Sequence, residues 1–256
     1  MPDWLVPPRQ QILTPNRTRA GHDAAWKVQP VEAVVLHFTT GYGGEGSARY
    51  LANLLTDAKG QPIQAKASAH FVVGRSGEIW QLMPLSDRAW HAGSATWRSK
   101  AANSCTIGIE LANLGPLFRK GSGWVDWWGK AYHGAVEPNP HPLLTEQEVT
   151  VSAPAWLRST LIRRWCKHAG IETPAVLAGE QVAFDGLAFE PYQPEQLRTA
   201  EWLVGALADL FPRLRLRDER PGELSRICGH EEIDPARKLD PGPAFPLQAL
   251  RDRVQG

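Results

Sequence analysis

The stretch Gly229-His230-Glu231-Glu232-Ile233-Asp234-Pro235-Ala236-Arg237-Lys238-Leu239-Asp240-Pro241-Gly242-Pro243 constrains this chain more than any other. It sets His230 ten positions before Asp240, with Lys238 two positions before the Asp. Proline fixes φ and removes a backbone donor, so a segment punctuated this way is a rigid loop that leaves its side chains little freedom. An imidazole, a carboxylate and an ammonium converging on one point suit a divalent metal and the charge that develops beside it. Such a loop needs a second His from elsewhere. His37 is the candidate, near the carboxyl end of a predicted strand, where strands commonly deliver functional groups.

The pattern around these residues predicts the elements that carry them. Residues 31–40 form a continuous, β-branched apolar run that ends in Thr39-Thr40-Gly41-Tyr42-Gly43-Gly44, the mark of a buried strand entering a Gly-rich loop. Residues 46–56 read as a helix, and 69–75 and 78–83 as strands joined at Ser76-Gly77. A further strand is expected over 105–111, with Glu110 near its end. Pro194 opens a helix over 194–210, with Leu197, Trp202, Leu203, Ala206 and Leu210 at helical spacing and a stop at Phe211-Pro212. Residues 245–254 read as a short last helix. The first 28 residues, rich in Pro, Gln, Arg and Thr and without periodicity, read as an arm. Between about 115 and 190 the pattern changes: Gly121-Ser122-Gly123-Trp124 and 137–142 read as loops, and 156–168 as a helix. The layout expected is an arm over 1–28 and one domain over 29–256, interrupted by an insertion at about 115–190.

Composition removes several function classes. A net charge of +1, with no basic run longer than Arg163-Arg164, argues against nucleic acid as a partner, because phosphate binding needs clustered Lys and Arg. No apolar stretch approaches the length of a membrane span. Met1-Pro2-Asp3-Trp4 lacks the basic region and apolar block of a secretory signal, so the expectation is a chain that is cytoplasmic as synthesised. Three widely spaced cysteines, Cys105, Cys166 and Cys228, are read as reduced and not as a disulfide framework. No Gly-x-Ser-x-Gly elbow supports serine hydrolase chemistry.

Five motifs in order carry a resemblance: Val34-Val35-Leu36-His37; Ser68-Ala69-His70-Phe71-Val72-Val73-Gly74-Arg75-Ser76-Gly77-Glu78-Ile79; Arg88-Ala89-Trp90-His91-Ala92-Gly93; Ile107-Gly108-Ile109-Glu110-Leu111; and the loop over 229–245. Together they resemble the type-2 zinc N-acetylmuramoyl-L-alanine amidases, a family that includes cell-wall-recycling amidases, phage amidase lysozymes and peptidoglycan-recognition proteins. The likeness covers roughly 31–114 and 190–250. It implies an α/β (mixed α+β) fold, a central mixed β-sheet flanked by helices with zinc in a surface groove. It also implies a peptidoglycan or muropeptide substrate, cut at the amide between N-acetylmuramic acid and L-alanine. Carried over by position, His37, His230 and Asp240 are the zinc ligands, Glu110 the general base and Lys238 the transition-state cation. The arm and the insertion depart from the compact relatives.

Three protein ligands leave zinc's fourth position open, which marks a catalytic and not a structural site. Each assignment has a blander rival. A strand His such as His37 can be a hydrogen-bonded core residue, Asp240 a turn cap and Lys238 a solvated cation. Glu110, amid apolar strand residues, either lies at an exposed strand end or faces the groove, since a buried unpaired carboxylate is costly. His70, Trp90 and His91 lie in the motifs and are candidates for substrate binding, with structural roles as the alternative. Cys228-x-His230 has no second such pair to complete another metal site, and His133, His141 and His168 read as solvated or structural. Of eleven Trp, Trp124, Trp127 and Trp128 cluster in the insertion, either as a platform for sugar rings or as core and edge cover. The alternative to an enzyme is a non-catalytic peptidoglycan-recognition module, although such modules usually lack the zinc ligands present here. Housekeeping, phage-lysis and injected-toxin contexts all suit a signal-less amidase.

Overall fold

A computed structural model describes residues 3–12, 14, 17–19, 31–138, 143–144, 182–183, 187–217, 220, 222–235 and 237–256. The apolar run near the start forms β1, Ala33–Phe38, with every residue buried. Four more strands join it: β2, Phe71–Val73, β3, Ile79–Gln81, β4, Thr106–Leu111, and β5, Ile227–Gly229. Their spatial order is β5-β1-β4-β2-β3. β5, β1, β4 and β2 run parallel, and only the β2–β3 hairpin is antiparallel. A mostly parallel sheet covered on both sides needs no hydrophilic face, which is why its strands read as unbroken apolar runs.

Alternation along each strand nevertheless sorts two environments. Val34, Leu36, Phe71, Val73, Ile107, Ile109 and Leu111 belong to one apolar core with Leu203, Val204 and Leu207. Those last three come from α2, Pro194–Leu210, which keeps the bounds expected of it; α1 is Gly44–Leu51, α3 His230–Ile233 and α4 Leu247–Gln255. Leu250 and Val254 of α4 enter the same core. The stripe expected on α2 is turned: its buried residues are Gln196, Ala200, Leu203, Val204, Leu207 and Ala208, while Trp202 is 54% exposed. Small Ala200 and Ala208 let the helix lie close on the sheet, and Gln196 is drawn in because its amide donates to the Val73 and Ala112 carbonyls. Neither effect is visible in an apolar pattern. Helix α1 ends before the expected 56, where Asn53 takes a left-handed φ of 55°.

The insertion holds more strand than its loop-like composition suggests. Residues Pro116–Lys120, Gly123–Val125, Ala131–Tyr132, Glu137–Pro138 and Leu187–Phe189 make an antiparallel sheet, in which Gly123-Trp124 is strand and only Gly121-Ser122 turns. Glu137–Pro138, also read as loop, lies at that sheet's edge, where a proline costs no ladder bond. The helix expected over 156–168 lies outside the described residues. Parts of the N-terminal arm pack on the domain: Val6 is buried, the Ile12 and Thr14 amides donate to Gln81 and Leu82, and Arg17–Arg19 pairs with Asp87–Ala89. The arm thereby covers β3, the sheet's edge strand. Among the described residues, no helix is long and apolar enough to cross a membrane.

Candidate metal centre and its groove

The sheet face away from the α2 core carries the polar residues. Parallel register sets His37 of β1 beside Glu110 of β4, and Gly229 of β5 beside Leu36. His230 follows Gly229 directly as the first residue of α3, so the ends of three neighbouring strands deliver His37, Glu110 and His230 to one place. The 229–243 loop then returns Asp240. It can do so because position 229 is Gly: a Cβ there would stand 2.7 Å from Cδ of Pro241. The Glu231 amide donates to the Asp240 carbonyl at 2.9 Å, and the Tyr192 hydroxyl donates to the Pro241 carbonyl at 2.8 Å, fixing the return.

Asp240 Oδ2 consequently lies 2.8 Å from His37 Nδ1 and 3.0 Å from His230 Nδ1. The three residues are buried, and they offer ligand atoms within 4.8 Å of one another, a set fit for a metal ion. Burial, together with the charges of His230 and Lys238, lowers His37 to about 4 against the pull of Asp240, so its ring is neutral near pH 7. Burial works to raise Asp240, but His230 and His37 outweigh it and hold the carboxyl well below its usual range. Glu110 is raised to about 8, first by burial and then by Asp240's charge, with Lys238 opposing. Its Oε2 and His230 Nε2 are buried atoms without a hydrogen-bond partner. Two imidazoles, one carboxylate and a second carboxylate nearby match the donor set of a divalent zinc site with an open position.

Lys238 is half-buried and acts electrostatically on both Glu110 and His37, so the five leading candidates share one site. Of the three weaker ones, His70 and His91 are buried and Trp90 is exposed. His70 is buried and its ring is spent inside the sheet: Nδ1 accepts from the Gly108 amide at 3.1 Å and Nε2 meets the Asp87 carbonyl at 3.1 Å. His91 is buried behind His37, with one ring nitrogen 2.9 Å from His37 Nε2 and the other 3.1 Å from the Thr106 hydroxyl. Neither ring presents a nitrogen to the groove. Trp90 is exposed, and its ring carries the Arg88 guanidinium 4.3 Å from the centroid. Cys228 is buried and its thiol approaches the Val34 carbonyl, away from the ligand set.

Glu110 stands at the end of a groove of about 600 Å³ lined by Phe38, Thr39, Tyr42, Tyr50, Leu51 and Trp128, among others. Tyr42, Tyr50 and Trp128 are all exposed. Of the three clustered tryptophans only Trp128 lines this groove; Trp124 carries Arg119 over its ring at 4.9 Å. The Asp126 carboxylate accepts from the Trp128 and Lys130 amides, shaping the turn, and takes the Tyr42 hydroxyl's proton bond through its other oxygen. Arg75, paired with Glu190, donates to the Gly41 and Tyr42 carbonyls and pins the opposite wall. Sequence reading missed Tyr42, Asp126 and Arg75, which carry no spacing that links them. Gly108 was the legible signal for the layer behind His37, since glycine inside a strand marks a close approach.

Comparisons with known proteins give the family and the fold. Residues 27–243 match the family model described as N-acetylmuramoyl-L-alanine amidase. The N-acetylmuramoyl-L-alanine amidase AmiD of Escherichia coli (strain K12) is 26% identical over 179 residues, 70% of this chain and 38% of AmiD. The 1,6-anhydro-N-acetylmuramyl-L-alanine amidase AmpD of Salmonella typhimurium (strain SL1344) is 31% identical over 128 residues, 46% of this chain and 65% of AmpD. The matched regions thus span less than two thirds of either relative. A crystal structure of a selenomethionine AmpD derivative aligns with 99% of this chain and 98% of its own at a TM-score of 0.55 and 18% identity, a likeness of fold.

Proposed function

The chain belongs to the N-acetylmuramoyl-L-alanine amidase family, and from that premise we propose that it hydrolyses the amide joining N-acetylmuramic acid to the stem peptide's L-alanine, with zinc held by His37, His230 and Asp240. The observation that carries this reading is the convergence of those three ligand atoms within 4.8 Å, beside Glu110. Bound there, zinc supplies Lewis acidity toward the scissile carbonyl and acidifies the attacking water.

The chain's own residues do the rest. Glu110 takes the proton from the attacking water at its carboxylate and passes it to the departing L-alanine amine, so no net proton stays on the enzyme. Burial, with Asp240's charge, raises this carboxyl to about 8, close to neutral pH, where one group can both accept a proton and give it up. Help of this kind is typically worth ~10²–10⁴ in rate. Lys238 directs its ammonium at the carbonyl oxygen as that oxygen gains charge, where the loss of such a donor costs on the order of 10²–10³ in kcat. The groove beside Glu110 takes the substrate, and the described part of the insertion supplies one wall of it through Trp128. The unit that performs this is read as one catalytic domain over 29–256, with the insertion at about 115–190 part of it.

The test pairs metal analysis with mass spectrometry of soluble muropeptides and intact sacculi after digestion. One zinc per chain is expected, with stem peptides beginning at L-alanine released until a chelator is added and again after zinc is restored. Bound zinc with no cleavage of either substrate would overturn the enzymatic reading in favour of a recognition module, and absence of zinc would overturn the ligand assignment.

A further inference from the structure

We propose that His91 and Thr106 form a positioning relay that dictates which nitrogen of His37 faces the metal. The inference rests on the zinc reading above and deepens it. Its starting point is a hydroxyl with one proton. Thr106 Oγ1 lies 2.8 Å from the Ala102 carbonyl oxygen, which only accepts, so the hydroxyl proton is committed there. The same Oγ1 lies 3.1 Å from His91 Nε2 and, having given its proton away, accepts from it. His91 therefore carries its proton on Nε2. An imidazole that carries its one proton on Nε2 leaves Nδ1 a bare lone pair. That lone pair lies 2.9 Å from His37 Nε2 and accepts from it. His37 is left with its own bare lone pair on Nδ1, aimed at the point where Asp240 Oδ2 stands 2.8 Å away. Two electron-rich atoms at that distance repel unless a cation lies against both.

The fold goes to some length to hold this ring in place. A Cβ at position 108, in the middle of β4, would meet His91 Cγ at 2.4 Å and Nδ1 at 2.7 Å, so glycine alone leaves room for the imidazole. Buried Asn103 accepts from the His91 amide at 3.0 Å and the Ala92 amide at 2.8 Å, and donates to the Gly93 carbonyl at 2.8 Å, which fixes the backbone that carries the ring. None of these groups reaches the groove. A packing residue would not need two hydrogen-bonded ring nitrogens, a vacated Cβ and a buried amide. A histidine ligand whose other nitrogen is fixed in this way holds its metal more tightly, typically by ~10–100-fold.

Zinc affinity, read by competition with a chromophoric chelator, tests the relay without recourse to turnover. Thr106→Val keeps the shape and removes the hydroxyl, and is expected to weaken zinc by ~10-fold. Thr106→Ser keeps the hydroxyl and should bind zinc within about two-fold of the parent, a rescue that a merely structural role for Thr106 would not give. His91→Phe and Gly108→Ala should weaken zinc as Thr106→Val does; if either fails to fold, the Val and Ser pair at 106 decides. Long-range proton–nitrogen NMR of the zinc-loaded parent should place the His37 proton on Nε2. Thr106→Val with the parent's affinity, or a His37 proton on Nδ1, would overturn the relay and leave the zinc reading intact. A parent chain that takes no zinc would overturn both.

Discussion

The two faces of the central sheet are built from the same strands and are almost equally buried, yet they do different work. On one, Val34 and Leu36 of β1 and Ile107 and Ile109 of β4 pack under α2 and α4, where each side chain contributes area removed from water. On the other, Ala33, Val35 and His37 share the face of β1, and Thr106, Gly108 and Glu110 share that of β4, alternating with those isoleucines. There a smaller apolar cluster around Val35 and Trp97 adjoins buried imidazoles, carboxylates and a hydroxyl, whose desolvation costs stability unless partners offset it. Protein partners offset it for His70 and His91 but not for Glu110 Oε2 or His230 Nε2. The first face can exchange residues of similar volume; the second depends on particular atoms.

The comparison is most exposed at adjacent positions of β4. Glu110→Gln should lower kcat by ~10²–10⁴ while leaving zinc content and Tm near those of the parent. Near-parental turnover in steady-state kinetics would remove Glu110 as the base. Ile109→Ala, one residue away on the opposite face, should cost about 2–5 kcal/mol in denaturant unfolding and leave kcat of the folded protein unchanged. If the two variants exchanged phenotypes, the division of labour between the faces would be wrong.

A smaller effect separates burial with partners from burial without. Glu32 is buried at the lower end of β1. Burial works to raise its pKa, but hydrogen bonds from Lys100 and Arg226, aided by the charges of Lys100 and Arg213, lower it below 4.5. A carboxyl lowered on folding stabilises above its unfolded pKa, and that contribution is lost as pH falls through the folded value. Glu32→Gln should therefore cost about 1–3 kcal/mol at pH 7, with the gap to the parent closing below about pH 4.5 in thermal melts. A gap that stayed constant down to pH 3 would mean the charge contributes nothing. Smallest of all, Trp128→Ala should raise KM by about 3–10-fold, the loss of one aromatic face, with kcat unchanged. An unaltered KM on muropeptides would take Trp128 out of the binding surface.

Much of the fold was legible because its signals are local. The β-branched run of β1, the Ser76-Gly77 turn and Pro194 at the start of α2 each state their structure within a few residues. The insertion was less legible, since short antiparallel strands such as Gly123–Val125 owe their pairing to distant partners and look like Gly-rich loop in isolation. The stripe on α2 misled because Trp202 is strongly apolar yet too bulky for a face that Ala200 and Ala208 bring close to the sheet.

The sequence by itself determined which groups are the candidates for the chemistry. His230, Lys238 and Asp240 share one Pro-rich segment, and the apolar strand that carries His37 is where the second imidazole is expected. Only the tertiary structure decided which nitrogen of His37 looks at Asp240, that His91 stands behind it and not in the groove, and that Trp128 meets Tyr42 and Tyr50 across one cleft. The physical reason is range. Residue type and spacing report what a side chain can do, but a hydrogen-bond order running His37–His91–Thr106–Ala102 exists only once β1, the segment after Ala89, and β4 have been packed against one another.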